Sequence, residues 1–232
     1  MGANMTARQA ELEFLPPPTA AHKTLRVIIG CEHSGMVRDA FRNLGHQAWS
    51  CDLLPDENNS PFHYQADIRE ILALGGWDLA GFHPPCRFLA CSGLHWIARQ
   101  PGRAELARQA LAFIRHLMAT TIPFYLENPR GRITTTIRPA DQTIQPYDFG
   151  DDACKSTCLW LHRLPPITPT GFFPGRTVTH NGKSFERWSN QTDDGNNRLA
   201  DSAARWKLRS RTYPGIAAAF AAQWGSYLSN KP

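Results

Sequence analysis

One thiol and one carboxylate stand where chemistry could use them. Cys86 follows Pro84-Pro85 at the end of the apolar run Trp77-Asp78-Leu79-Ala80-Gly81-Phe82, and Glu127-Asn128-Pro129 follows Pro123-Phe124-Tyr125-Leu126. A thiolate adds to electron-poor ring carbons and so splits one hard step into easier ones. Cytosine C6 is such a carbon. Addition there makes C5 enamine-like, able to attack an electrophilic methyl group, and pushes charge toward N3. A carboxylic acid beside N3, protonated or sharing a proton with it, stabilises that charge. For this role Glu127 needs a sheltered pocket that raises its pKa.

Taken alone, Pro84-Pro85-Cys86 reads as a strand-ending turn with an inert buried thiol. Its pairing with Glu127 at a second strand end favours catalysis, provided the two ends converge. Cys91, five residues further on, reads as packing. His33, His83 and His95 are irregularly spaced and read as ordinary pocket-edge residues.

The elements that must position these groups follow from the apolar pattern. Arg26–Cys31 is a β-branched run ended by small residues, which predicts a buried parallel strand. Gly35–Leu44 places Val37, Ala40, Phe41 and Leu44 at helical spacing, with Gly45 as a stop. Gln47–Asp52 is a second strand ending in an acid. Strand, tight turn, helix and strand open a doubly wound α/β sheet, whose ligands lie at the carboxyl ends of the strands. Further on come a short helix from Asp67, the strand before Cys86, a helix over 103–119 with Leu106, Ala110, Leu111, Phe113, Ile114 and Leu117, and the strand before Glu127. Cys158–Leu161 is a short strand and 215–228 a closing helix. Between them, 165–197 is rich in Pro, Gly, Thr, Asn and Asp and predicts an irregular insertion. The organisation is a tail over 1–23, a catalytic domain over 24–164, a loop-rich insertion over 165–211 and a returning helix over 212–232.

Composition narrows the partners. The 232 residues are 42% hydrophobic, enough for a core, and no apolar run reaches the roughly 20 residues of a membrane helix. The six cysteines come without an export signal, which predicts reduced thiols in the cytoplasm. Their C-x4-C and C-x3-C spacings differ from the C-x2-C of zinc ribbons, so no metal is expected. The net charge of +5 permits a nucleic acid. Arg198, Arg205, Lys207, Arg209 and Arg211 face one acid, Asp201, in a run that suits phosphates or a solvated helix face equally. Trp188, Trp206 and Arg205 are able to stack on bases or to anchor the insertion.

In order and separation these motifs resemble those of the cytosine-5 DNA methyltransferases, over about residues 25–160 and 210–228. Pro84–Gly93 (PPCRFLACSG) resembles the family's nucleophile motif and Glu127-Asn128-Pro129 its Glu-Asn-Val. The closest likeness is to a compact subgroup of phages and prophages that carries PPC and ENP. The resemblance implies a Rossmann-like S-adenosylmethionine-dependent methyltransferase fold, that cofactor, and a DNA substrate. It assigns cofactor contacts to Glu32, Ser34 and Gly35 in CEHSGM, to Asp52 (ribose, though a helix N-cap reads as well), to Asp67-Ile68 (adenine) and to Pro84. Of the family's glycine loop only Gly35 remains. The motif Tyr-Gly-Val-Pro-Gln-x-Arg-x-Arg stands altered as Phe149–Thr157. Thr157 replaces the arginine that contacts the cytosine carbonyl, and Lys155, aligned with the other arginine, is the candidate to reach over. Arg87, Arg130, Arg205, Lys207, Arg209 and Arg211 are the expected DNA contacts. Tyr213–Ala217 resembles the last motif, which packs back against the cofactor site. Two alternatives stay open: the same chemistry on a free cytosine nucleotide or RNA, and a silent nucleic-acid-binding relative.

Overall fold

The computed structural model describes residues 23–96, 99–202 and 205–231. The expected N-terminal tail lies outside them apart from Lys23, whose Nζ pairs with Asp78 at 2.6 Å. The chain runs β1 (Arg26–Gly30), α1 (Met36–Asn43), β2 (Gln47–Asp52), β3 (His63–Gln65), α2 (Ile68–Ala73), β4 (Leu79–Phe82), α3 (Arg103–Met118), β5 (Phe124–Asn128), α4 (Arg132–Thr136), β6 (Gln142–Ile144), β7 (Thr157–His162), β8 (Arg176–His180), β9 (Lys183–Arg187), α5 (Arg205–Ser210) and α6 (Pro214–Ser229).

The result is a mixed α/β domain around a seven-stranded sheet in the order β3-β2-β1-β4-β5-β7-β6. The first five strands in that order are parallel, and β7 is antiparallel to both its neighbours. Both faces are covered, which is why the central strands read as continuous apolar runs. On one face Val27 and Ile29 join Val37 and Phe41 of α1 and Ile216, Phe220 and Trp224 of α6. On the other, Ile28 joins Ile68 and Ile71 of α2 and Leu111, Ile114 and Leu117 of α3. The alternation of Val27, Ile28 and Ile29 between the two clusters is the two-residue period of a strand.

Two residues expected on buried faces are exposed. Leu44 is the C-cap of α1, where Gly45 (φ 83°) turns the chain away. Leu106 lies off the stripe of Ala107, Leu111, Ile114 and Leu117 that α3 buries. The segment 165–197 is also more regular than expected. It holds the hairpin β8–β9, closed by Asn181-Gly182 with φ of 50° and 71°. Positive φ at both turn residues matches the right-handed twist of the flanking strands, and Asn-Gly adopts it readily.

Two features of this topology gather the candidate residues. The chain leaves β1 toward β2 and β3, then returns to place β4 on the other side of β1, and ligands bind at the carboxyl edge of such a switch point. Because β7 runs backwards, its first residue, Thr157, lies at that same edge. The pair Asn128↔Cys158 puts it beside the end of β5. The altered motif also anchors α6: Gly215 N donates to Asp151 Oδ2 at 3.0 Å, and a Cβ at Gly215 would lie 2.0 Å from Phe149 O.

Candidate active site

The thiol and the carboxylate leave adjacent strands. β4 and β5 pair in parallel with Phe82 opposite Leu126, so the turn His83–Cys86 and the residues Glu127-Asn128 emerge side by side. Pro84 and Pro85 end the β4 ladder by lacking amide donors. The turn is then fastened to β5. Asn128, 1% exposed, donates from Nδ2 to Pro84 O at 2.7 Å. Beyond Cys86, whose carbonyl accepts from Leu89 and Ala90 at 2.9 Å, Cys91 N donates to Arg130 O at 3.0 Å and Arg132 N to Leu89 O at 2.9 Å. Gly131 permits this approach, since a Cβ there would lie 2.0 Å from Leu89 O. The turn carrying Cys86 is therefore held by backbone and Asn128 contacts rather than left as a free loop.

Cys86 and Cys91 are both exposed, and all six cysteines are free thiols. Crowding by protein atoms, then the charge of Glu127, push the Cys86 thiol pKa up; Lys155 and Arg209 pull it down. The resting group is a protonated thiol that a nearby cation would activate.

Glu127 carries the clearest correction. A raised acid is expected from the sequence. Burial does push its carboxyl up, but the His83 contact, the Lys155 ammonium and the Thr157 hydroxyl outweigh burial and bring its pKa down to about 2. Thr157 Oγ1 donates to Glu127 Oε1, and His83 Nδ1 lies 3.5 Å from Oε2. Glu127 is thus a carboxylate in this state, because three neighbours favour the charge. Lys155 acts on it through charge rather than contact. Its Nζ donates to Arg209 O at 2.8 Å and lies 5.8 Å from the Tyr213 ring centre.

The β1–β2 half of the edge is built differently. Glu32, expected at the cofactor, caps α1: Oε1 accepts from Val37 N at 2.7 Å and Oε2 from Arg38 N at 3.2 Å. Asp67 caps α2, accepting from Arg69 N at 2.9 Å and pairing with the Arg69 guanidinium at 2.5 Å. Ile68 is buried under Gly30, where a Cβ would meet it at 2.6 Å. Ser34 is buried near the start of α1, and Gly35 takes φ 72° against Arg38. Pro84 is buried, its carbonyl engaged by Asn128. Asp52 caps no helix. It sits half-buried at the end of β2, where Oδ1 accepts from Leu54 N at 2.9 Å.

The basic run arches over this edge as α5. Trp206 stacks on His33, with ring centres 5.8 Å apart and planes 10° apart, and Arg211 pairs with Glu57 at 2.5 Å. Lys207, Arg209 and Arg211 are exposed, whereas Arg205 is partly covered and pairs with Asp201 at 2.6 Å. Arg87 and Arg130 are exposed beside the Cys86 turn. Trp188 is buried and stacks on Tyr147 at 4.2 Å, so it anchors the insertion. A pocket of about 10 Å³, lined by Glu127, Lys155, Thr157 and Ser210–Tyr213, lies beneath the strap. That is room for roughly one water.

Sequence reasoning passed over two residues that matter to this geometry. Asn128 was visible within Glu127-Asn128-Pro129, but not as a clamp. Irregular histidine spacing hides His83; its place directly after an apolar strand is the better signal. Its side chain is 6% exposed, with Nε2 3.0 Å from Tyr125 Oη. Among the described residues no three His, Cys, Asp or Glu side chains group as metal ligands, and no helix is long and apolar enough to cross a membrane. No protein-family model and no curated protein sequence matches this chain.

Proposed function

We propose that this chain transfers a methyl group from S-adenosylmethionine to C5 of cytosine in DNA, through a covalent bond between Cys86 Sγ and C6. The observation that carries the reading is the Asn128–Pro84 clamp, which fixes an exposed thiol beside a half-buried carboxylate at the carboxyl edge of a parallel sheet. The sheet, with β7 reversed between β5 and β6, is compatible with the methyltransferase fold that the motif resemblance implies.

The residues present fit the cofactor in part. Asp52 lies beside the β1–β4 switch point with no helix to cap, so it would accept from the ribose hydroxyls. The loop Cys31–Gly35 would flank the rest. Glu32 and Ile68 are engaged elsewhere and are not used. When bound, the cofactor supplies an electrophilic methyl group on a sulfonium. The chain's own residues do the remaining work. Cys86 adds to C6, Glu127 faces N3, and Thr157 holds Oε1 of Glu127 so that the carboxylate keeps one orientation.

A base inside a duplex does not expose C6 to a thiol, so the target must leave the stack. Ser210–Tyr213, in the strap that α5 forms with the residues after it, line the space beside Glu127. The exposed Lys207, Arg209 and Arg211 belong to that same strap and would meet the phosphates. The test is incubation of protein, tritiated donor and cytosine-containing duplex, with free cytosine nucleotide as competitor. Wild-type transfers label to DNA, and Cys86→Ala lowers the rate by at least about 10³-fold. Transfer that is unaffected by Cys86→Ala would remove the assigned nucleophile.

A further inference from the structure

The proposed chemistry needs a proton at N3, and Glu127 in this structure has none to give: its neighbours hold it ionised. A proton store should therefore lie within reach of its carboxylate. His83 occupies that place. Its imidazole bridges two residues of β5, with Nε2 3.0 Å from Tyr125 Oη and Nδ1 3.5 Å from Glu127 Oε2. The ring packs edge-on against Tyr125 at 5.5 Å. Nδ1 is buried, and its approach to Oε2 falls short of a hydrogen bond. Gly81 makes the arrangement possible, because a Cβ there would lie 2.3 Å from Tyr125 Oη. A glycine inside a strand commonly marks such a close approach.

We infer that His83 is a positioning residue that stores the proton Glu127 passes to cytosine N3, an inference that rests on the methyl-transfer reading above. In the substrate complex His83 is an imidazolium and Glu127 a carboxylate. The Cys86 thiol loses its proton to solvent, and the thiolate forms the Sγ–C6 bond. The C5=C6 pair moves to C5–C4 and the C4=N3 pair to N3. The His83 Nδ1 proton passes to a Glu127 oxygen and on to N3, leaving a neutral imidazole and the carboxylate as it began. Net charge is conserved: thiolate and imidazolium are consumed together, and the carboxylate is unchanged. Once C5 carries the methyl group, its proton passes to water, the Sγ–C6 bond breaks as C5=C6 re-forms, and the N3 proton returns through Glu127 to His83.

The groups that face His83 are Glu32 from the β1–α1 loop and Tyr125 and Glu127 from β5, with Lys155 and Thr157 acting through Glu127. The Tyr125 hydroxyl sets which nitrogen faces the carboxylate. Where the Tyr125 hydroxyl donates to Nε2 of a neutral ring, the hydrogen sits on Nδ1, on the Glu127 side.

The test is kcat against pH for wild-type, His83→Asn and Tyr125→Phe at saturating donor and DNA. Wild-type kcat should rise as the thiolate forms and fall again as the imidazolium is lost. His83→Asn keeps a donor near Nδ1 but cannot titrate. It should lower kcat about 10–100-fold, leave KM for DNA within about threefold, and lose the falling limb. Tyr125→Phe should lower kcat severalfold and keep both limbs. An active His83→Asn enzyme with the wild-type profile overturns the inference while leaving methyl transfer intact. Wild-type protein that never transfers methyl overturns the reading beneath it. Nitrogen-15 spectra of the His83 ring supply an arm that does not depend on turnover. At neutral pH in wild-type protein the Nδ1 hydrogen should face Glu127, and Glu127→Gln should shift that resonance. A ring carrying its only hydrogen on Nε2, unmoved by Glu127→Gln, also overturns the inference.

Discussion

The two halves of the sheet's carboxyl edge engage their carboxylates in different ways. At β1–β2, Glu32 gives both oxygens to amides of α1 and Asp67 caps α2. At β4–β5, the thiol of Cys86 is exposed, while His83 Nδ1 and Asn128 Oδ1 are buried without partners. Two glutamates, Glu32 buried and Glu127 half-buried, make the contrast sharpest. Burial raises the pKa of Glu32 in spite of its two amide donors, while the neighbours of Glu127 bring that group down to about 2. Both halves bury a histidine nitrogen without a hydrogen-bond partner, His33 Nε2 near Glu57 and His83 Nδ1 near Glu127; what separates them is the exposed thiol at the end of β4, where a substrate can complete the set.

The contrast can be broken from either side. Glu127→Gln, measured by label transfer at saturating donor, should lower kcat about 10²-fold or more with the fold intact. A kcat within a few fold of wild-type would move the chemistry elsewhere on the edge. The same variant tests the charge state. Because the folded pKa of Glu127 is depressed, its contribution to stability is in place above the ordinary carboxylate range and is lost as pH falls toward about 2. Urea unfolding should show wild-type ahead of Glu127→Gln by about 2–3 kcal/mol above pH 5, and the gap should close as pH falls toward 2. Glu32 slopes the other way, since a raised pKa strengthens the folded state as pH falls through it.

On the scaffold side, Glu32→Ala leaves the amides of Val37 and Arg38 buried and unpaired. It should cost about 1–3 kcal/mol in the same unfolding experiment. A variant as stable as wild-type would show that the cap contributes nothing. The smallest expected effect is at the strap. Arg211→Ala gives up an ion pair with Glu57 that is half-exposed and worth little. Under the DNA reading it should weaken duplex binding severalfold and reduce the salt dependence of log K by about one. An unchanged salt slope would exclude Arg211 from the phosphate contacts.

How much of this was legible in the sequence depended on how local the signal was. β1, α1 and β2 were readable because Arg26–Asp52 carries strand and helix periods within one short stretch. Cys86 and Glu127 were readable as polar groups directly after apolar runs. β3 (His63-Tyr64-Gln65) and β6 (Gln142-Thr143-Ile144) were not, since three mixed residues set no period. The reversal of β7 was not readable either, because strand partners are chosen by tertiary packing. Yet that reversal is what delivers Thr157 to Glu127. The Asn181-Gly182 turn is a hairpin signal that the many loop residues around it obscure. The ionised state of Glu127 depends on His83, Lys155 and Thr157, which arrive from three separate segments.

The most direct measurement uses a duplex carrying 5-fluorocytosine in place of cytosine, where fluorine cannot leave C5 as the proton does. Protein, donor and this duplex are incubated, denatured and digested, and the linked peptide is sequenced by mass spectrometry. A methylated fluorocytosine bonded to Cys86, absent in Cys86→Ala, is the predicted result. A bond to Cys91, the equally exposed thiol five residues along, or no adduct from folded protein that binds the duplex, would contradict the assignment of Cys86 as the attacking thiol.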